Sequence, residues 1–410
     1  MYRDRIVITG VGLTAPNGNS LSEFRKNLIE GRSGVSLYKD RLMGEVIAGV
    51  CNYDDTKYQT KKDIRRGTRA ASIGIYCAHE AVKDANIDLE KYDKSDIGIY
   101  VGITEHGAAE AVDEMFSIKD FEYNTKYVSH YFSPKSIANN PAGEVCLNLG
   151  ITGPHYTLGA ACAAGNIGLI HGAQMLALGE VSLAIAGGVS ESIRAFLSFA
   201  SFKNEGALAK HSDPEKACRP FDKDRNGIVI SEGGCLFILE KLEDALARNA
   251  KIYAELVGYA INTDATDYVV PNRQRQEQCM IKALQRAAIR PQDINIINSH
   301  STSTPLGDRT EGGSINSIFG NDDSVYITNT KSYIGHTMGA AGALELAGEL
   351  PSFEDDIVHH SLNLDNLDPN CMITNIVRKE PIKVNNIKYV LNNSFGMLGI
   401  NSTVIVRKYE

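Results

Sequence analysis

The sequence predicts an α/β protein made of two similar halves. Short β-branched runs such as Ile97-Gly98-Ile99-Tyr100-Val101 alternate with longer helical patterns, as strands linked by crossover helices require. A segment also recurs. Ala81–Val101 reads as a helix, then Ala85-Asn86-Ile87, a spacer and Ser95-Asp96-Ile97-Gly98-Ile99; Ala283–Asn298 reads as a helix, then Ala288-Ile289-Arg290 and Gln292-Asp293-Ile294-Asn295-Ile296. From Ile97 to Ile294 the offset is 197 residues, close to half of the 410-residue chain. Duplication with a break near residue 250 follows, giving halves 1–250 and 251–410.

The elements read in order as follows. Ile6-Val7-Ile8-Thr9-Gly10 is a strand, and Ile97–Val101 is a second. A Gly/Ala-rich helix near 163–179 leads to a strand at Leu183-Ala184-Ile185-Ala186. Asp222-Lys223-Asp224-Arg225-Asn226-Gly227 opens like an EF-hand loop, but Glu232 falls one position short of the bidentate ligand. It therefore reads as a polar turn into a strand at Ile228-Val229-Ile230. Lys241–Lys251 reads as a surface helix closing the first half, and Ile294-Asn295-Ile296-Ile297 as a buried strand of the second.

Forty-two Lys+Arg against 50 Asp+Glu give a net charge of -8, which argues against a whole-surface nucleic-acid binder. Met1-Tyr2-Arg3-Asp4-Arg5 runs directly into a strand with no apolar export segment, and no apolar run suggests a membrane span. The eight cysteines show no pair at CxxC spacing, which fits a reducing compartment, with the cytoplasm as the expected location and no metal site.

Three places carry chemistry. Cys162 lies among small residues, Thr157-Leu158-Gly159-Ala160-Ala161-Cys162-Ala163-Ala164-Gly165-Asn166, ahead of a helix whose amino terminus is expected to favour the thiolate. By itself it reads equally as a packed structural cysteine. His300 falls where the strand Ile294–Ile297 ends, the position at which α/β sheets place their sites. His336 leads Thr337-Met338-Gly339-Ala340-Ala341-Gly342-Ala343, a run too small to fill a core unless something packs closely against it.

Taken together, these residues resemble the β-ketoacyl-acyl-carrier-protein synthases of the type II elongating class. The resemblance covers nearly the whole chain, from Val7-Ile8-Thr9-Gly10-Val11-Gly12 through Arg219-Pro220-Phe221-Asp222 to Asn392-Asn393-Ser394-Phe395-Gly396. It implies a thiolase-like fold of five α-β-α-β-α layers and a decarboxylative Claisen condensation of an acyl thioester with malonyl-acyl-carrier protein. By resemblance, Cys162 is the acyl-accepting nucleophile, and His300 and His336 bind the malonyl thioester carbonyl. Lys331 and Glu311 form a buried ion pair that orients the histidines, and the backbone N–H groups of Cys162 and Met397 form an oxyanion hole. Phe395, Met397, Leu398 and Phe202 gate the acyl pocket. The family usually reads Gly-Phe-Gly-Gly-Thr-Asn where this chain has Gly396-Met397-Leu398-Gly399-Ile400-Asn401, and Ser301 stands where a Gly normally follows the histidine. A Cβ at Leu398 is expected to narrow the loop's backbone freedom.

The resemblance also implies an acidic acyl-carrier protein as partner, which gives a use for Lys61, Lys62, Arg65, Arg66 and Arg69, five cations in nine residues. No cofactor is implied, because phosphopantetheine arrives on the carrier. The expected assembly is a homodimer, or a heterodimer with a chain-length-factor homologue in a polyketide or polyene pathway. A Cys-His hydrolase would leave Lys331 and the second histidine without a role.

Overall fold

The computed structural model describes residues 4–320 and 323–410. Ten strands form one mixed sheet. In chain order they are β1 (Ile6–Thr14), β2 (Ile97–Ile103), β3 (His155–Gly159), β4 (Leu183–Ser190), β5 (Gly233–Lys241), β6 (Ala254–Thr263), β7 (Ile296–Asn298), β8 (Tyr326–Thr328), β9 (Tyr389–Phe395) and β10 (Ile400–Arg407). Their order across the sheet is β8-β7-β9-β10-β6-β1-β5-β4-β2-β3. Each strand of the first five thus has its counterpart five numbers later, mirrored about the β1–β6 join, where Ile6, Val7 and Ile8 pair antiparallel with Leu256, Glu255 and Ala254. The Asp-Ile-x-Ile echo maps onto β2 and β7, second from opposite edges, each entered from a 3-10 turn.

Seven helices position the site: α1 (Leu21–Ile29), α2 (Lys61–Arg66), α3 (Arg69–Asp84), α4 (Ala164–Leu178), α5 (Arg273–Ala287), α6 (Pro305–Phe319) and α7 (Ala341–Glu349). Strand alternation shows how they layer. Ile97, Ile99 and Val101 of β2 join the core beneath α3, whereas Tyr100 joins the core around α4. In the second half Ile297, Leu391 and Ile405 face α5, while Ile296, Val390 and Val404 share the central core with α7. The order α3, first half of the sheet (β1–β5), α4 with α7, second half (β6–β10), α5 gives the five expected layers.

The central helix α4 is apolar over most of its surface because sheet and helix cover most of it, leaving one half-buried stripe at Ile167, His171 and Gln174. The stretch 161–178 has the length of a membrane span, but 61% of it is buried in the protein core, so the long apolar run absent from the sequence reading is a core helix. It stops at Gly179, which adopts φ 75°, with the N–H groups of Gly179 and Glu180 donating back to Leu176 and Met175. On the outer face α3 lies almost on β1: a Cβ at Gly12 would come within 1.9 Å of the Cys77 carbonyl oxygen.

One element differs from expectation, and the Asp222–Gly227 segment is a polar turn. Ile228–Ile230 is an extended segment with isolated bridges to Leu208 and His336 rather than a regular strand, because it serves as a clamp for the His336 loop. Asp222 is fully buried and accepts from Arg219 Nε at 3.0 Å, so the Asp222–Gly227 turn is held by arginine.

Candidate active site

Cys162 sits in the tight turn Ala161–Ala163 between β3 and α4. Ala161 there adopts φ 46°, a left-handed conformation costing about 1 kcal/mol for a residue with a Cβ. Thr104 Oγ1 holds the turn by donating to the Ala161 carbonyl at 3.1 Å. His336 occupies the corresponding connection of the second half, between β8 and α7. Duplication therefore places the sulfur and this imidazole at the ends of two central helices packed on each other. The small residues permit the approach, since a Cβ at Gly165 would lie 2.9 Å from the Ala343 nitrogen. The partner expected against the Gly/Ala run is thus α4.

His336 Nε2 lies 3.0 Å from Cys162 Sγ. The Met338 N–H donates to Nδ1 at 3.3 Å, which leaves the ring proton on Nε2, pointing at sulfur. The backbone is fixed as well: the His336 N–H donates to Val229 at 2.7 Å and its carbonyl accepts from Ser231 at 3.0 Å. His300 leaves the carboxyl end of β7, with its ring 5.4 Å from that of His336 at 81°. Cys162 Sγ and one nitrogen of each ring all lie within 4.8 Å of one another. Zinc could use such a donor set, but the buried Lys331 ammonium acts electrostatically on all three groups and opposes a divalent cation.

The ion pair differs from the sequence expectation. Lys331 donates to Glu345 of α7, not to Glu311, and neither side chain has measurable contact with solvent. Glu311 instead accepts the N–H groups of His300 at 2.9 Å and Ser301 at 2.6 Å, the Ser301 hydroxyl at 2.8 Å and Asn393 Nδ2 at 3.2 Å. Its lone pairs are taken up by the loop it orients, and the charge partner of Lys331 comes from the helix facing it. Ser301 in place of glycine adds one donor to that carboxylate.

Burial governs the electrostatics. It pushes the Cys162 thiol up to about 12, and Lys331 and the Met397 N–H offset this only in part. The turn expected to favour the thiolate therefore holds a neutral thiol. Burial, followed by Lys331, holds both histidines well below the usual imidazole range, so the rings are neutral donors. Burial pushes the Glu345 carboxyl up to about 7 while the adjacent ammonium draws it back.

The trio opens into a cavity of ≈ 230 Å³ lined also by Phe202, Phe395 and Met397. Met397 is 38% exposed and its N–H reaches the Cys162 sulfur. Gly396 admits this turn, since a Cβ there would lie 3.0 Å from the Cys162 nitrogen. Leu398 departs from its expected place in the gate. It adopts φ 61°, its N–H donates to Tyr268 at 2.8 Å, and its side chain is 68% exposed, outside the cavity.

Among the cations, Lys61, Lys62 and Arg65 are exposed on α2, and Arg66 stacks 5.0 Å over the Tyr131 ring. Arg69 does not belong to this surface. It lies beyond the Gly67-Thr68 turn on α3, paired with buried Glu232 at 2.6 Å and donating to the Cys51 carbonyl. All eight cysteines are free and buried.

Sequence reasoning missed Glu345 and Glu349. They stand four apart in the otherwise apolar α7, a pattern that demands buried partners on one helix face. It also missed Asn329, whose amide donates to the carbonyls of Ser299 and Ser301 and ties the two histidine loops together.

Comparison with known proteins follows the same lines. The profile of the β-ketoacyl synthase N-terminal domain matches residues 3–245, and that of the C-terminal domain matches 253–365. Over 422 residues the chain is 33% identical to 3-oxoacyl-[acyl-carrier-protein] synthase 2 of Synechocystis sp., covering 100% of this chain and 99% of the relative. The solved ishigamide ketosynthase/chain length factor superposes with a TM-score of 0.92 at 28% identity, covering 100% of both chains. AntDE:AntF, a type II polyketide synthase acyl-carrier protein in complex with its ketosynthase bound to the hexaketide, gives 0.89 at 28% identity over 99% of this chain and 100% of that chain.

Proposed function

The chain belongs to the β-ketoacyl synthase family and has its thiolase-like fold, and from that premise we propose that it extends an acyl thioester by two carbons, using malonyl-acyl-carrier protein. The observation that carries the reading is the meeting of Cys162 Sγ with a nitrogen of each histidine within 4.8 Å at the cavity.

The first step exchanges thioesters. Cys162 sulfur bonds to the acyl carbonyl carbon, the carrier's thiol leaves, and the cysteine proton goes to that thiol. The N–H groups of Cys162 and Met397 receive the oxyanion that forms at the carbonyl. In the second step the malonyl thioester carbonyl accepts from the two neutral imidazoles. The C–C bond to the carboxylate breaks, carbon dioxide leaves, and the electron pair becomes an enolate stabilised by the two donors. The enolate carbon then bonds to the Cys162 acyl carbon, and the sulfur leaves as a thiolate that takes one proton from water, restoring the thiol. The thioester supplies the activation and carbon dioxide release drives the step, so no metal or redox group is called on; phosphopantetheine arrives on the carrier.

Lys61, Lys62, Arg65 and Arg66 fit an acidic carrier protein, and the buried free thiols fit a cytoplasmic protein. The edge strand β3, with Tyr156 51% exposed and Leu147 of the neighbouring helix 85% exposed, suits a partner subunit. A second copy of this chain is the first reading. The similarity to the ishigamide ketosynthase/chain length factor favours a second, pairing with a chain-length-factor homologue in a polyketide or polyene pathway. A homodimer that is active when expressed alone selects the first.

Intact-mass analysis after incubation with a panel of acyl-carrier thioesters tests the function. The acyl mass is expected on the intact chain and, after digestion, on the peptide that contains Cys162; a panel that leaves Cys162 unmodified overturns the reading.

A further inference from the structure

Behind the site, four side chains without solvent contact are arranged as a ring left open between His359 and Glu349: Asn298, Thr330, Glu349 and His359. Asn298 Nδ2 donates to Thr330 Oγ1 at 2.7 Å and to Glu349 Oε1 at 2.9 Å. Thr330 Oγ1 lies 3.4 Å from His359 Nε2, and His359 Nδ1 lies 3.5 Å from Glu349 Oε1. The Asn298 amide spends one hydrogen on each partner, tying the Thr330 hydroxyl and the Glu349 carboxylate to one side chain. The Thr328 hydroxyl also donates to Glu349 Oε1.

The members come from four elements: the end of β7, the turn after β8, the last turn of α7 and the segment following Ile357. Asn298 stands two residues before His300, and Thr330 directly before Lys331. The ring therefore grips both loops from the side away from the cavity. We propose that Glu349 and His359 are positioning residues, which act through Asn298 and Thr330 to hold His300 and Lys331 for enolate formation.

The surroundings suit this role. Arg25 of α1 donates to the Gly348 carbonyl at 3.2 Å and to the Ile357 carbonyl at 2.6 Å, and pairs with Asp355. The Tyr333 ring packs 5.7 Å from His359, His360 adjoins it, and the Lys331–Glu345 pair lies one helical turn away. Burial holds His359 well below the usual imidazole range and pushes Glu349 up to about 7, with Thr328, Arg25 and Asn298 drawing the carboxyl back.

This inference rests on the proposed reaction, whose two half-reactions separate the possible failures. Cys162 acylation by an acyl-carrier thioester and carbon dioxide release from malonyl-carrier thioester are measured for the full chain and for Glu349→Ala, Thr330→Val and Glu349→Gln. In Glu349→Ala and Thr330→Val, kcat for carbon dioxide release is expected to fall about tenfold or more, as displaced catalytic groups do. KM should move by about twofold at most, as should the acylation rate, because the nucleophile turn lies outside the ring. Glu349→Gln, which keeps the acceptor for Asn298 and Thr328, should restore most of kcat. Unchanged decarboxylation, a parallel loss of both half-reactions, or no recovery in Glu349→Gln overturns the ring's role. An unsubstituted protein that performs neither half-reaction overturns the proposed function instead.

Discussion

His336 reaches Cys162 across 174 residues of chain, Nε2 to Sγ at 3.0 Å, while its Nδ1 is occupied by the Met338 N–H. The imidazole therefore presents a proton to sulfur and does not remove one. In the proposed acyl exchange the cysteine proton leaves with the carrier's thiol, and the same Nε2–H later serves the enolate oxygen. One ring is a donor in both steps, and its neutral form is the working form.

The Lys331–Glu345 pair should be strongly coupled. Glu345→Ala strands a buried ammonium and is expected to cost about 3–5 kcal/mol of folding stability. In double-mutant cycles by urea unfolding, Lys331 should couple more strongly to Glu345 than to Glu311. Equal coupling would return Glu311 to the ion pair.

The histidine contribution to folding stability should fall as pH drops below about 6.5, the ordinary imidazole value. His300, His336 and His359 have folded pKa values well beneath it, so in that range their unfolded forms bind protons that the folded forms do not. Each such histidine adds about 1.4 kcal/mol per pH unit within its window, against the opposite slope of the buried Glu345 and Glu349 carboxyls. His336→Asn should therefore lower the slope of stability against pH between pH 5 and 6.5 by about one proton relative to the unsubstituted protein. An unaltered slope would mean that the ring is charged in the folded protein.

Leu398→Gly should raise stability by up to about 1 kcal/mol, because it relieves a left-handed leucine whose side chain packs little. Its acyl-chain preference should match that of the unsubstituted protein, whereas Met397→Ala, at the cavity wall, should shift it. A changed chain-length profile in Leu398→Gly, measured with a thioester series, would place Leu398 back in the gate.

Charge reversal at Lys62 and Arg65 should raise KM for carrier-bound substrate about tenfold and leave small pantetheine thioesters unaffected, with the difference shrinking at high salt. Arg69→Glu should instead destabilise the fold, since it sets a carboxylate against buried Glu232.

Much of this was legible in the chain. The Asp-Ile-x-Ile echo marked symmetry-related strands because a buried strand tolerates few residue types, and the duplication then brought the Cys162 and His336 turns together. The Lys331 partner was not legible from motif order: Glu311 and Glu345 both flank it in sequence, and only the facing of α7 selects the second. The thiol's state was hidden too, because a helix terminus is visible in sequence whereas the burial that outweighs it is not. Leu398 shows a third limit. The sequence signals a constrained backbone there, but the side chain's direction depends on the latch to Tyr268.

The measurement that bears most directly on the division of labour between sulfur and imidazoles is carbon dioxide release and condensation, followed side by side in Cys162→Ala and His336→Ala. Cys162→Ala should lose condensation and still release carbon dioxide from malonyl-carrier thioester, while His336→Ala should lose release itself. Condensation persisting in Cys162→Ala, or release persisting at full rate in His336→Ala, would contradict the account.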